Sequence, residues 1–180
     1  ALELLPPHDE RVLRIADACT GSGCLAVSIA CERPTADLVA TDISAEALAV
    51  AAENAVRHGV AEQIRFVRTD MLEGVEGPFE LIVANPPYVC EGDRPGLQPE
   101  VRDHEPNVAL FGGADGFRLV ERFVAGATPL LRPGGHLLFE FGLGQDELVE
   151  ALIASSPSLT LVDMRRDLQG IARSAVVQRA

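Results

Sequence analysis

A length of 180 residues fits one domain, and 47% hydrophobic against 23% charged residues supplies enough apolar material for a packed core. The net charge of −12, with every basic residue an arginine, argues against nucleic acid as a partner, because phosphate affinity is not a bulk property of such a surface; only a local group such as Arg165, Arg166 and Arg173 would override that average. No apolar run reaches the length of a bilayer span, residues 1–9 lack the basic start and apolar stretch of a secretory signal, and Cys19, Cys24, Cys31 and Cys90 match no paired metal spacing, so the expectation is a cytoplasmic protein with reduced thiols and no membrane contact.

Residues 12–17 are a short apolar run ending in glycine-rich sequence, and 25–31 continue with helix-compatible side chains, which reads as strand, tight turn, helix. The pattern repeats. Residues 38–41 are β-like, Ser44 is a good N-cap with Ala47 three residues on, and 45–58 is a strong helix former ending at Gly59. Further strands are expected over 64–68 and 79–84, followed by a long, polar, proline-rich loop from Pro86 to about Asp115 and a helix over 117–131. After a turn at Arg132-Pro133-Gly134-Gly135 come a strand over 136–141, a helix over 146–154 and closing strands over 159–163 and 174–178. Alternating strands and helices predict a doubly wound α/β sheet with its ligand at the carboxyl ends of the strands.

Asp17-Ala18-Cys19-Thr20-Gly21-Ser22-Gly23 lies where the first strand hands over to the first helix, so its glycines let the backbone pass close to a nucleoside-type cofactor. Asp42, at the end of the second strand, is placed to accept hydrogen bonds from ribose hydroxyls, although capping the helix that follows is the plainer role for an aspartate there. Asp70 reads either as an acceptor for an adenine amine or as an ordinary turn residue, and Met71 beside it as packing for the adenine. A dinucleotide and S-adenosylmethionine both suit such a turn. Asp17 favours the second, since an acidic pocket repels pyrophosphate and attracts a sulfonium and an amino group. Cys19 and Cys24 are expected to be small buried thiols without chemistry, and His8, His58, His104 and His136 are scattered, so no metal site is proposed.

Ala84-Asn85-Pro86-Pro87-Tyr88 follows the fourth strand and therefore reaches the same edge as the glycine turn. A planar NH2 on an amide or aromatic base is a poor nucleophile because its lone pair is delocalised. Two acceptors aimed at its protons, the Asn85 side-chain oxygen and the Pro86 carbonyl, would position it and draw its lone pair toward an incoming methyl. The consecutive prolines fix φ and keep Asn85 out of the helical region, and Tyr88 offers a flat face for the amide or base to stack on. Glu100, Asp103 and Glu105 in the long loop read equally as a solvated face or as parts of a cover over the substrate.

At these residues the sequence resembles class I S-adenosylmethionine-dependent methyltransferases and, more narrowly, the bacterial protein-(glutamine-N5) methyltransferases that modify peptide chain release factors, over nearly the whole chain. The resemblance implies a Rossmann-like, mostly parallel seven-stranded sheet with an antiparallel last strand. It implies binding of a glutamine amide by Asn85, Pro86, Pro87 and Tyr88, and contacts to S-adenosylmethionine (S-adenosylhomocysteine as product) from Cys19, Thr20, Gly21, Ser22, Gly23, Asp42, Met71 and Asn85. Asn-Pro-Pro-Tyr is shared with methyltransferases of adenine and guanine amines, so the flanks carry the narrower likeness: Pro99-Glu100-Val101, Glu105-Pro106, Ala109-Leu110-Phe111-Gly112-Gly113, Asp115-Gly116, Asp167-Leu168, Gly170 and Arg173 look like the release-factor branch. Cys19-Thr20-Gly21-Ser22-Gly23-Cys24 is also similar to the sister branch that methylates a large-subunit ribosomal protein; the release-factor branch more often has Gly at the Cys19 position. The opening without an initiator methionine, and without the helical N-terminal domain typical of the family, reads as one methyltransferase domain, residues 1–180, of a longer protein.

Overall fold

A computed structural model describes residues 1–5 and 12–180; Pro6, Pro7 and His8 of the opening segment lie outside the described residues. Strand β1 (Leu13–Ala18) turns into helix α1 (Cys24–Glu32), and β2 (Ala36–Asp42) into α2 (Ala45–Arg57). Ser44 caps α2 as its sequence suggests, its hydroxyl oxygen accepting from the Ala47 N–H at 3.1 Å, and Gly59, at φ +71°, follows the helix end in the left-handed region. Strands β3 (Ile64–Arg68) and β4 (Phe79–Ala84) come next. Beyond them stand the short helices α3 (Pro99–His104) and α4 (Asn107–Leu110), then α5 (Arg118–Ala127), β5 (Leu131–Glu140), α6 (Asp146–Ala154), β6 (Leu159–Arg166) and β7 (Ala172–Arg179).

The seven strands form one sheet in the order β3-β2-β1-β4-β5-β7-β6, and β7 alone runs antiparallel to both of its neighbours. Side chains alternate across the sheet, and each face buries its own core. On one face Val120, Phe123 and Val124 of α5 and Val149 and Ile153 of α6 pack on Ala16, Ile82, Leu137 and Phe139. On the other, Ala26, Ile29 and Ala30 of α1 and Ala55 of α2 pack on Ile15, Leu38, Leu81 and Val83. Burying each of the larger side chains contributes roughly 1.5–3 kcal/mol, and the Phe123–Phe139 pair, edge to face at 5.8 Å, joins helix to strand.

Four details differ from the pattern read along the chain. The helix expected over 117–131 stops at Ala127, because a helical continuation would drive the Pro129 ring into the carbonyl one turn earlier; Thr128–Leu130 tighten into a 3-10 turn instead. The turn at 132–135 is absorbed into β5 as a bulge, the register with β4 jumping from Phe79↔Leu131 to Leu81↔His136. The loop after β4 holds a 3-10 turn (Glu91–Gly96) and the two short helices, too brief and too broken by proline to show a helical period. Finally, β6 and β7 run several residues further than their apolar stretches and meet in a tight turn, where the Asp167 carboxylate accepts from the Gln169 and Ile171 N–H groups.

Candidate active site

In the turn after β1 three residues take left-handed backbone: Cys19 (φ +56°), Gly21 (φ +56°) and Gly23 (φ +80°). The Thr20 N–H donates to the Thr41 carbonyl at 2.9 Å and ties the turn to the end of β2. The two glycines serve different ends. A Cβ on Gly21 would meet nothing within 4 Å, whereas one on Gly23 would lie 2.9 Å from the Ala51 Cβ, so the first leaves room for a ligand and the second lets α1 close on α2. Cys19 adopts a conformation that glycine would take without strain. Burial, reinforced by the carboxylates of Asp42, Asp17 and Asp70, pushes its thiol up to about 12, so it stays protonated. Cys24, expected to be buried, is exposed: it opens α1 on the side facing the site.

Asp17 is fully buried. Its Oδ2 accepts from the Thr20 hydroxyl at 2.6 Å and the Ala26 N–H at 3.0 Å, while Oδ1 has no partner. Burial raises this carboxyl to about 7, the two hydrogen bonds opposing the shift and Asp42 adding to it. An orphaned carboxylate oxygen in the wall of a cavity of about 520 Å³, bordered also by Thr20, Gly21, Asn85 and Glu140, suits a cation or an N–H donor and disfavours phosphate. Asp42 does not cap α2, a role Ser44 takes, but braces the two turns: Oδ1 accepts from the Ser44 N–H and Oδ2 from the Gly21 N–H, both at 2.9 Å. A carboxylate has about four lone-pair positions, so two remain for hydroxyls in the adjoining cavity of about 290 Å³.

Asp70 and Met71 line that same cavity. Met71 holds a left-handed φ of +52°, its carbonyl accepting from the Thr41 hydroxyl at 2.5 Å, and is nearly buried. Asp70 is ion-paired at 2.8 Å with Arg122, which reaches over from α5 and borders the cavity as well. Nothing in the sequence pattern singled out Arg122. It belongs to the exposed side of an amphipathic helix and joins the site only through the fold.

Asn85 emerges from β4 at the boundary of the two cavities, which share Cys19, Gly21, Asn85 and Ala109. It is exposed, and among the described residues none bonds its side-chain amide. Pro86 is buried and Tyr88 half-buried, the Tyr88 hydroxyl donating to Glu140 Oε1 at 2.6 Å. Burial and this carboxylate push the phenol up to about 12, with Arg173 opposing. Glu140 escaped the sequence reading; the available signal was its place at the end of the strand beside β4, since Ala84 pairs with Phe139 and the next residues out are Asn85 and Glu140.

The segment after the motif is braced by a later one. The Val89 N–H donates to the Leu110 carbonyl and the Gly112 N–H to the Val89 carbonyl, both at 2.9 Å. A Cβ on Gly112 would stand 2.7 Å from the Pro87 carbonyl oxygen, and one on Gly116 2.5 Å from that of Tyr88, which accounts for both glycines. Asp115 accepts from the Phe117 and Arg118 N–H groups at the start of α5. Pro106, Val108 and Ala109 wall the smaller cavity, whereas Glu100, Asp103 and Glu105, exposed as well, border neither of the two cavities. Among the described residues no group of three or more His, Cys, Asp or Glu side chains is gathered for a metal ion, and no helix is long and apolar enough to cross a membrane. Of the three arginines near the carboxy terminus, Arg165 is paired with Asp163 and Glu3, and Arg173 with Asp167.

Comparison with known proteins agrees with this geometry. Residues 2–96 match the model of the methyltransferase small domain. The chain is 43% identical over 169 residues to the release factor glutamine methyltransferase of Nitratidesulfovibrio vulgaris, covering 92% of this chain and 57% of that one. It is 44% identical over 144 residues to the ribosomal protein uL3 glutamine methyltransferase of Neisseria meningitidis, covering 80% and 47%. The chain thus spans about half the length of the curated relatives it matches. Among solved structures it is similar to TrmN from Thermus thermophilus, with TM-score 0.70 and 27% identity over 99% of this chain and 47% of that one. The ribosomal protein L11 methylase of Lactobacillus delbrueckii shares the fold, with TM-score 0.68 and 24% identity over 94% and 71%.

Proposed function

The chain belongs to the methyltransferase small domain family, and from that premise we propose that it is the catalytic unit of a cytoplasmic protein-glutamine N5-methyltransferase that uses S-adenosylmethionine and acts on a peptide chain release factor. The observation that carries the reading is Asn85, with an uncommitted side-chain amide at the junction of a cavity walled by Asp42, Asp70 and Met71 and a cavity walled by Asp17 and Glu140. The first suits an adenosine and the second a cationic amino-acid tail next to an incoming amide.

S-adenosylmethionine, when bound, supplies an electrophilic methyl whose C–S bond breaks as the amide nitrogen's lone pair forms the new C–N bond. This chain does the rest by position and charge. The residues fit such a group: Gly21 leaves open space, the orphaned Asp17 oxygen awaits a positive partner, and the Asp42 carboxylate is held in place by two backbone donors. The Asn85 oxygen and the Pro86 carbonyl accept the two amide N–H bonds, which orients the nitrogen and localises its lone pair. Pro86 and Pro87 keep those acceptors fixed before the substrate arrives, and the Tyr88 ring forms the wall against the amide plane. The extra proton leaves the nitrogen after transfer.

A second protein substrate has its own support. The Cys19-Thr20-Gly21-Ser22-Gly23-Cys24 turn and the 44% identical relative favour ribosomal protein uL3. Methylation of an RNA amine is disfavoured by the net charge of −12 and by the ion pairs that neutralise Arg165 and Arg173. Transfer of labelled methyl to purified release factor, to uL3 and to total RNA, with mass mapping of the product, tests the proposal. A methyl on a release-factor glutamine is expected; label on uL3 alone would move the substrate, and label on RNA alone would overturn the protein reading.

A further inference from the structure

Glu140 ends β5 beside Asn85, and its partner across β7 is Ser174; all three border the larger cavity. Its Oε1 accepts from the Tyr88 hydroxyl at 2.6 Å, a short charge-assisted bond that reaches 52 residues along the chain from one strand end to its neighbour. The Tyr88 backbone is held as well: its carbonyl accepts weakly from the Gln145 amide at 3.3 Å and abuts Gly116, and among the described residues the Glu140 bond is the hydrogen bond made by its side chain. With the backbone alone fixed, the ring would retain its side-chain rotations. The bond to Glu140 removes them.

We propose that Glu140, which borders the larger cavity, is a positioning residue: through the Tyr88 hydroxyl it locks the ring three residues after Asn85 and so fixes the backbone run that presents Asn85 and Pro86 to the acceptor. The assignment rests on the glutamine-methyltransferase reading for its consequence in turnover, but not for the contact itself. Arg173, held by Asp167 at 3.3 Å, supplies a nearby positive charge that opposes the rise of the Tyr88 phenol. The charged groups that face the phenol are Glu140 on β5 and Arg173 on β7, with Asp167 beside Arg173 in the turn before it.

The sequence contains one tyrosine and no tryptophan, so ultraviolet titration of the full chain reads Tyr88 with no competing signal. Wild type is expected to titrate near 12, and Glu140→Gln to fall by the part that the carboxylate charge contributes, remaining above the ordinary phenol value because burial, the larger cause, persists. In methyl transfer, Glu140→Ala is expected to lose roughly ten- to a hundredfold in kcat, a larger loss than in S-adenosylhomocysteine affinity because Glu140 also borders that cavity, with the kcat loss matching Tyr88→Phe and the double variant no worse in kcat than either. Glu140→Gln should retain most activity, because its amide oxygen still accepts from the phenol. An ordinary phenol titration in wild type that Glu140→Gln does not move overturns the proposal, as do full activity in Glu140→Ala and additive losses in the double variant. If no acceptor is methylated even by wild type, it is the glutamine reading that fails, and the titration alone decides the Tyr88–Glu140 contact.

Discussion

The two halves of the carboxyl edge are built in different ways. On the side of β1, β2 and β3 each functional group sits within a few residues of the strand that presents it: Asp17, Gly21, Asp42 and Met71 are placed by single tight turns, and their hydrogen bonds link one turn to the next. On the side of β4 and β5 the site is assembled from afar. Asn85-Pro86-Pro87-Tyr88 takes its shape from Gly112, Gly116 and Glu140, which stand 25 to 52 residues beyond the residues they touch. A local design tolerates change in the rest of the molecule, whereas a long-range one fails when any of its distant braces is altered.

Substitutions on the two sides should therefore break different properties. The largest effect is expected from Asn85→Ala, about 10²–10³-fold in kcat/KM with little change in S-adenosylhomocysteine affinity by calorimetry, as for loss of one preorganised polar group in an active site. An Asn85→Ala protein with full activity would remove the two-acceptor account. Gly23→Ala should follow, costing about 1–3 kcal/mol of stability through its contact with Ala51 and its left-handed φ, read as a fall of several degrees in Tm; Gly21→Ala should instead weaken cofactor binding more than it lowers Tm.

Asp17 sharpens the comparison through pH. Its carboxyl is raised to about 7, so below that pH the free protein holds a proton that a cationic ligand must expel. S-adenosylmethionine affinity should rise with pH, by at most about tenfold per unit, and level off above about 7. Asp17→Asn should flatten that dependence. The same shift has a stability consequence: between about 4 and 7 the unfolded chain has released this proton and the folded chain has not, so the free protein should lose stability as pH rises through that window, measurable by thermal melts. The smallest effect is expected from Arg122→Ala. The Arg122–Asp70 pair is largely solvated, and its loss should weaken cofactor binding by about fivefold or less by calorimetry, diminishing with salt.

The contrast between the halves also explains what could be read in advance. Asp17, the glycine turn, Asp42, Met71 and Asn85 were legible because each stands at a fixed offset from a strand end, and strand ends are where apolar runs meet glycine, aspartate or proline. The doubly wound order was legible for the same reason. Arg122 and Glu140 were not, since one lies on a solvent-facing helix surface and the other ends a strand with no motif around it; only the pairing of β5 with β4 and the packing of α5 bring them in. The exposure of Cys24 does not follow from its residue type, because it is set by the direction in which the first turn of α1 faces.

Residue Ala18 pairs with Ala84 in the parallel ladder of β1 and β4, and the turns that follow them carry the two cavities. Neighbouring strands are held about 4.8 Å apart by their hydrogen bonds, so the offset between donor and acceptor sides is a property of the sheet and not of the loops. Recognition can then change hands without disturbing alignment. On the proposed reading, sequence drift in residues 91–105, clear of the braces Val89, Leu110 and Gly112, would alter which planar amide is admitted while that offset stays fixed, which makes this stretch the natural place to re-target the domain by design.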